Sequence, residues 1–513
     1  MKQAEADVVV ISAGTAGLAA AVTAAEGGAS VIVLEKTQRT GGTGNMGSQI
    51  LGLGSELQRR QGIKIDIKEV FKAHMDYTHW RVDARLLKAY YAKSGSTIDW
   101  LMKQGVEFAG VRDIAGRGPN FTFTHIASGG SYTMMKVLAN RARELGVKIM
   151  LKTPAQKILK KGGRIVGVVA EDSSGEEIRV KARAVIVAAG GFGDNPEMIR
   201  KYTGYELGRD MYSFRIPGLT GDGIRMAWEA GAARSEMMMQ VIFAMPHPYE
   251  GPTGPSMDLI AFSQPNLMVN LMGERFIDEE IIKDTTFGGN AISRQKGRCA
   301  FMIFDEDTKQ RYDEGNLDIP LPGGPGFDRK ASSPKDMKQY AKDTGLEVNL
   351  PESMKAKNID DKLREAQAKG YQHLFMADSL EDLCAQTGID LDGLRKTVAE
   401  YNKACKTGHD DVFDKNPKYL KPVKKPRFYA ARFFPSAYGT LGGIKINYKT
   451  EVLARNHKVI PGLYAAGLDA NTIYGDSYTR FLYGNTQGFA LNTGRMAGES
   501  ALEYIKYRRT KDE

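Results

Sequence analysis

The apolar positions of residues 7–36, DVVVISAGTAGLAAAVTAAEGGASVIVLEK, change rhythm twice. Val8–Ile11 is an unbroken apolar run of strand length, Gly14–Glu26 is alanine-rich and helical in composition, and Val31–Leu34 is a second apolar run that ends at Glu35. Strand, glycine turn, helix, strand and acid within about 30 residues predict a βαβ unit that binds a dinucleotide on its first turn. In Ser12-Ala13-Gly14-Thr15-Ala16-Gly17, Gly14 lets a pyrophosphate reach the helix N-terminus and Gly17 lets the helix lie against the strand. Glu35 is placed to accept from a ribose hydroxyl. Ser12 stands where the fingerprint has its first glycine, so an altered turn is expected there. Gly42-Thr43-Gly44-Asn45-Met46-Gly47 repeats the glycine spacing without the preceding strand and helix, and is expected to lie over the same dinucleotide.

Further apolar runs end in glycine. Ala184–Gly191 reads AVIVAAGG and is followed by Phe192-Gly193. Thr220-Gly221-Asp222-Gly223 opens a helix, IRMAWEAGA, and Leu441-Gly442-Gly443 precedes a strand. Ile460–Gly467, IPGLYAAG, leads into NTIYGDSYTRFLYGNTQG, residues 471–488, a glycine-broken loop that carries Tyr474, Tyr478, Arg480 and Tyr483. Pro246, Pro248, Pro252 and Pro255 mark a break along the sequence, and Lys424-Lys425-Pro426 marks a return. At 513 residues two or more domains are expected.

Composition narrows the chemistry. The 71 Lys and Arg outnumber the 61 Asp and Glu, giving +10, partly in patches such as Lys157–Lys161 and Lys421–Lys425. No aromatic–basic platform or helix-turn-helix pattern accompanies them, so the charge points to an anionic substrate or an acidic electron donor rather than to nucleic acid. Cys299, Cys384 and Cys405 show no CxxC spacing, and the seven histidines are scattered singly, so neither an iron–sulfur centre, a c-type haem nor a metal site is expected. The N-terminal residues run straight into a strand and no apolar run approaches 18 residues. These features read as a cytoplasmic protein without a membrane span.

In their order, the βαβ unit, AVIVAAGG, TGDG, Gly273-Glu274-Arg275-Phe276, Leu441-Gly442-Gly443 and PGLYAAG resemble the flavoprotein family of soluble fumarate reductases, urocanate reductases and 3-ketosteroid dehydrogenases. The resemblance runs over nearly the whole sequence and is weakest across residues 311–373, which look like an enlarged insertion. It implies FAD as cofactor and an α/β fold: a Rossmann-like FAD-binding domain built from both ends of the sequence, 1–238 and 426–513, with an inserted α+β capping domain, 239–425. Carried over by position, it implies FAD contacts from Gly14, Thr15, Ala16, Gly17, Glu35, Lys36, Gly42, Thr43, Gly44, Ala155, Ala189, Gly190, Asp222, Gly439, Gly467, Asp469, Gly484, Asn485 and Thr486.

The sequence departs from the family's fumarate reductases where those hold and protonate a dicarboxylate. The proton-relay region is the apolar Leu259-Ile260-Ala261-Phe262, and the acid arginine falls around Lys283-Asp284. The histidine pair before the Gly-Gly turn has become Tyr438-Gly439, Arg480 aligns near the carboxylate-binding arginine, and His247 resembles the family's cap histidine. Fumarate is therefore not the expected substrate. The gain is phenols, which can hold or release a proton beside a developing enolate. Tyr438, Tyr478, Tyr483, Arg480, His247 and Lys283 are the candidate catalytic residues, each with a packing or surface role as its alternative, while Tyr474 reads as structural. The expected activity is FAD-dependent reduction of an activated C=C bond, an enoate or enone, with a separate electron donor. Its alternatives are a 3-ketosteroid-type dehydrogenase and an electron-relaying flavin subunit.

Overall fold

β1 (Lys2–Ile11), α1 (Thr15–Glu26) and β2 (Val31–Leu34) form the βαβ unit that the N-terminal pattern predicts. The structure is a computed structural model and describes residues 2–47, 49–113, 123–213, 216–246, 261–319, 358–368, 370–475, 477–479 and 481–512. Helices α2 (Ile67–Tyr77) and α3 (Ala84–Lys103) follow, then β3 (Lys148–Met150), β4 (Ala155–Lys161), β5 (Arg164–Glu171) and β6 (Glu177–Val187). Next come β7 (Tyr212–Ser213), α4 (Asp222–Glu229), β8 (Arg234–Pro246), β9 (Leu267–Val269) and α5 (Thr285–Ser293). β10 (Ala300–Asp305) and β11 (Leu374–Ala377) precede β12 (Phe428–Ile444), β13 (Glu451–Leu453), β14 (Val459–Ala465) and α6 (Asn485–Asp512).

The first sheet has the order β13-β14-β6-β1-β2-β3, with β5 joined to β6 and β4 to β5. Its centre, β14-β6-β1-β2-β3, is parallel. Val8, Val9 and Val10 are wholly buried because both faces of this sheet are covered, which is why the strand reads as a continuous apolar run. Helix α1 lies between the sheet and α6, buried all round from Leu18 to Val22. Its alanines allow a close approach: a side chain on Gly494 or Gly498 of α6 would strike the Ala16 or Ala20 carbonyl.

The second sheet has the order β7-β12-β10-β9, with β8 and β11 also paired to β12. β12 belongs to two cores. Its Ala437, Leu441 and Ile444 pack with the first sheet, and its Ala431 and Phe433 pack in the core of the second. β8 runs antiparallel to β12 with irregular register on both sides of Val241. Such bulges re-aim the neighbouring side chain, here Ile242.

The GERF motif serves the second core. Arg275 donates to Glu279 and Asp410, four bonds of 2.9 Å, with all three side chains almost fully buried. The Lys415 ammonium closes the knot on Glu279 at 3.0 Å, the Pro265 carbonyl at 2.9 Å and the Tyr401 hydroxyl at 2.9 Å. Ala261 and Phe262 of the apolar relay segment are buried in the same core. Leu259 and Ile260 lie outside the described residues, as does most of the 311–373 insertion.

Candidate active site

Ser12, the departure from the fingerprint, adopts φ +88°, the left-handed conformation a glycine would supply. It is held there from the side: its hydroxyl donates to Glu35 Oε2 at 3.1 Å, and the same oxygen accepts from the Ala13 N–H at 2.7 Å. Glu35 Oε1 accepts from the Thr37 N–H and hydroxyl, both at 2.9 Å, so the buried carboxylate braces the turn as well as facing it. Gly14 is the N-cap of α1, and the helix has no side-chain cap there. The space beside Gly14 and Gly42 is open except for Ser12 Oγ and the Gly14 Cα, each 3.7 Å from where a Cβ would stand. A side group on Gly17 would collide with the Ser12 carbonyl. The second glycine turn lies on the first, with the Gly41 N–H donating to the Ala13 carbonyl at 2.8 Å and Gly44 packed on Thr15. Thr43 lies in the same 3-10 turn, Gly42–Met46.

These residues fit a dinucleotide. One further group fits it that the sequence reading missed: among the described residues Arg39 Nη1 is buried without a hydrogen-bond partner, two residues before Gly41. A phosphate oxygen would satisfy it. Lys36 donates to Asp222 at 2.6 Å and to Thr220 at 3.0 Å, tying β2 to the start of α4. Burial raises the Asp222 pKa, but Lys36, Thr220 and Arg225 outweigh it and hold the carboxyl below its usual range. Ala155 opens β4, just after Thr153, whose N–H donates to the Glu35 carbonyl at 2.9 Å.

The AVIVAAGG turn is organised by Asp469. This wholly buried carboxylate accepts from the N–H groups of Ala189 (2.5 Å), Gly190 (3.1 Å) and Gly191 (2.9 Å). Burial pushes its pKa up to about 6 against those three donors. Gly467 takes φ +67° and its N–H donates to the Thr493 hydroxyl at 3.0 Å.

The tyrosine loop is pinned from below. Its Ile473 carbonyl lies 2.5 Å from His74 Nε2, and a carbonyl only accepts, so Nε2 carries the proton. Burial lowers the His74 pKa to about 4 and keeps the ring neutral. Nδ1 therefore accepts, from the Tyr91 hydroxyl. The Tyr77 hydroxyl donates to the Tyr478 carbonyl at 3.0 Å, and Asn290 of α5 donates to Ser477 at 2.8 Å. Tyr474 is buried between the His74 ring (centroids 6.1 Å apart) and the Tyr478 ring (4.7 Å). Its hydroxyl pairs with Thr486 at 3.1 Å, and Thr486 also accepts from Gln240 at 2.8 Å. Asn485 is committed to the protein, accepting from the Tyr90 hydroxyl at 2.9 Å and donating to Thr479 at 3.0 Å. Gly484 takes φ +75° with the Ile50 N–H 2.6 Å from where its Cβ would stand, so here glycine admits the protein's own backbone.

Tyr438 and Tyr478 come together. Both are half-buried and pack on the fully buried Ile242, and Tyr478 also packs against the core of the first sheet. Tyr483 is buried nearby in sequence, within the same loop. Lys283 precedes α5, and its ammonium pairs with Glu280 and lies 4.7 Å over the Tyr419 ring. Burial works against its charge, but Glu280 and Tyr419 raise its pKa overall. Its charge is thus spent on its own segment. His247 and Arg480 lie outside the described residues. Among the described residues no group of three acidic, histidine or cysteine side chains could hold a metal, and no helix is long and apolar enough to cross a membrane.

Comparison with known proteins agrees with this geometry. Residues 7–480 match the family model described as an FAD binding domain. The protein is 33% identical to a vinyl phenol reductase of Lactiplantibacillus plantarum over 509 residues, covering 97% of this sequence and 96% of that one. It is 28% identical to a fumarate reductase (cytochrome) of Shewanella frigidimarina, covering 98% of this sequence and 77% of that one. Among solved structures, a 3-ketosteroid-Δ4-(5α)-dehydrogenase of Rhodococcus jostii RHA1 superimposes with a TM-score of 0.70 at 25% identity, covering 98% of each protein. The protein belongs to this FAD-binding flavoprotein family and is an FAD-dependent oxidoreductase acting on carbon–carbon double bonds.

Proposed function

We propose that the enzyme reduces the exocyclic C=C bond of a neutral, ring-bearing phenol, the chemistry named in its vinyl phenol reductase relative. The observation that carries this reading is the Ile242–Tyr438–Tyr478 cluster: apolar surface and phenols, with Tyr438 standing where the family's fumarate reductases have a histidine. The paired Lys283 supports it, because its charge is met by Glu280. Bound FAD supplies hydride once reduced by a separate electron donor. The protein's part is to hold the ring and move protons. A Tyr438 or Tyr478 hydroxyl accepting from the substrate phenol increases electron density on the ring. The electron pair reaches the terminal alkene carbon, which takes a proton from the other phenol. The carbon attached to the ring is then electron-poor and receives the hydride, giving an ethyl phenol.

In this reading the residues carried over by position other than Gly484 and Asn485, with Arg39 added, form the FAD cradle, and the cap spans about 239–425, entering through β8 and leaving just before β12. The test is anaerobic. The flavin is photoreduced, then 4-vinylphenol, a simple enone or fumarate is added, and its absorbance is followed. Fast reoxidation by 4-vinylphenol alone is expected. Fast reoxidation by fumarate would overturn the reading, and a response to the enone alone would favour the ketone-directed chemistry of the steroid dehydrogenases.

A further inference from the structure

Among the described residues, the Thr486 hydroxyl gives its proton to no protein group. Its oxygen lies 2.8 Å from Gln240 Nε2, an amide nitrogen that only donates. It also lies 3.1 Å from the Tyr474 hydroxyl. Tyr474 is buried, and burial raises its pKa well above the usual phenol value, so it keeps its proton. Asn471, beside that phenol, offers it only N–H, since the Asn471 oxygen is turned to the Ile473 N–H at 3.2 Å. The Tyr474 proton is therefore donated to Thr486 Oγ1. A hydroxyl oxygen that accepts twice has both lone pairs engaged, and its own O–H points along the one direction left.

The start of α6 shows what lies that way. In its first two turns Asn485, Gly488 and Phe489 are buried, while Thr486, Gln487 and Ala490 are half-buried. Thr486 and Ala490 are one turn apart and share a face. Ala490 Cβ is 3.9 Å from where a Cβ on Gly467 would stand, and Ala16 of the dinucleotide fingerprint is 3.1 Å from the same point. Gln487 Oε1 is 3.6 Å from the Cβ position of Gly47, at the end of the second glycine turn. The half-buried stripe of α6 thus borders the FAD cradle. Gln240 reaches Thr486 from β8, where the pairing with β12 jumps from Met239–Thr440 to Val241–Ala437 and leaves Gln240 out of the ladder. It is 2% exposed, and burying an amide is costly unless it is bonded. We propose that Gln240 is a positioning residue: with Tyr474 it turns the Thr486 hydroxyl proton away from the protein and onto the flavin ring of FAD. Such a donor favours the electron-rich, reduced ring over the oxidised one. This goes beyond the proposed substrate, because it stands on bound FAD alone and holds whichever alkene is reduced.

The test needs no substrate. The two-electron reduction potential of the full-length, FAD-loaded protein is measured against indicator dyes, with FAD content and thermal midpoint followed alongside. Thr486→Val removes the hydroxyl and keeps the side chain's shape. A charge-assisted bond to the reduced ring is then lost. Reduced FAD should bind about tenfold less favourably relative to oxidised FAD, a fall of about 30 mV. Thr486→Ser should keep the wild-type potential. Gln240→Leu and Tyr474→Phe each free one lone pair of Thr486 and let its proton turn away, so each should give a smaller fall, about threefold. In the Thr486→Val background neither should change the potential further, because both act through the missing hydroxyl. An unchanged potential in Thr486→Val would overturn the proposal. A rise in Gln240→Leu would also overturn it, because residue 240 would then be accepting the Thr486 proton. Equal falls from Gln240→Leu with and without the Thr486 hydroxyl would leave Gln240 a packing role only, and would overturn it too. Tyr474→Phe decides the same points if Gln240→Leu does not fold.

Discussion

His74 makes a quantitative prediction. It is wholly buried beneath the tyrosine loop, and burial lowers its pKa from 6.5 to about 4. In the unfolded protein the ring regains its ordinary value. Between pH 6.5 and 4 the unfolded state therefore binds a proton that the folded state does not, and stability falls as the pH falls through that window. The interval is 2.5 units, and at about 1.36 kcal/mol per unit it is worth about 3.4 kcal/mol, fully present above pH 6.5 and lost near pH 4. His74→Gln removes the titration while an amide N–H can still reach the Ile473 carbonyl and an amide oxygen can still accept from Tyr91. Thermal midpoints of the holoprotein, with FAD in fixed excess, are measured from pH 7 to pH 4.5. Wild type should lose stability more steeply on acidification than His74→Gln, with the two curves diverging below pH 6.5. His125, held near 4 by the same kind of burial, is common to both proteins and cancels in the difference. Parallel curves would refute the reasoning, because they would mean that His74 is solvated or charged in the folded protein.

Other expectations concern separate parts of the molecule. Asp469→Asn keeps one acceptor for three N–H donors, and with charge-assisted bonds worth about 1.5–3 kcal/mol each, the FAD dissociation constant should rise at least tenfold in a fluorescence titration. Tyr438→Phe or Tyr478→Phe removes one hydroxyl, and at least one of them should slow single-turnover reoxidation by the substrate by about 10²–10⁴-fold while leaving FAD content intact. Arg275→Met strands Asp410 in the second core, leaving Glu279 to Lys415, and should lower stability by about 3–5 kcal/mol in urea unfolding, with ligand-free and FAD-loaded protein affected alike.

The cofactor half of the molecule was legible in sequence because its signals are local. Strand, glycine turn and helix follow one another within residues 7–36, and even Ser12 keeps the turn by taking the glycine's conformation. The substrate side is assembled from distant segments, and no spacing announces it. His74, Tyr77 and Tyr91 lie about four hundred residues from the loop they hold, on helices whose pattern records only that one face is buried. Asp469 showed as a polar residue after a glycine, but its three N–H partners come from β6's end, which no local pattern connects to it. At Gly484 the close neighbour is the backbone of Ile50, which no local pattern connects to it. Arg39 carries no motif, and only its buried, unpaired nitrogen marks it.

The seat of α1 between the sheet and α6 has a consequence for biosynthesis. The ribosome releases Thr15–Glu26 early, but the helix that shields its other side begins at Asn485. At about 5–20 residues per second, the interval is roughly 20–90 s. For that time an alanine-rich helix stays half-bare, and β6 lacks its β14 neighbour. The nascent polypeptide is therefore open to chaperones, and to aggregation, around α1 and β6, and the packing of α1 becomes complete only when α6 docks.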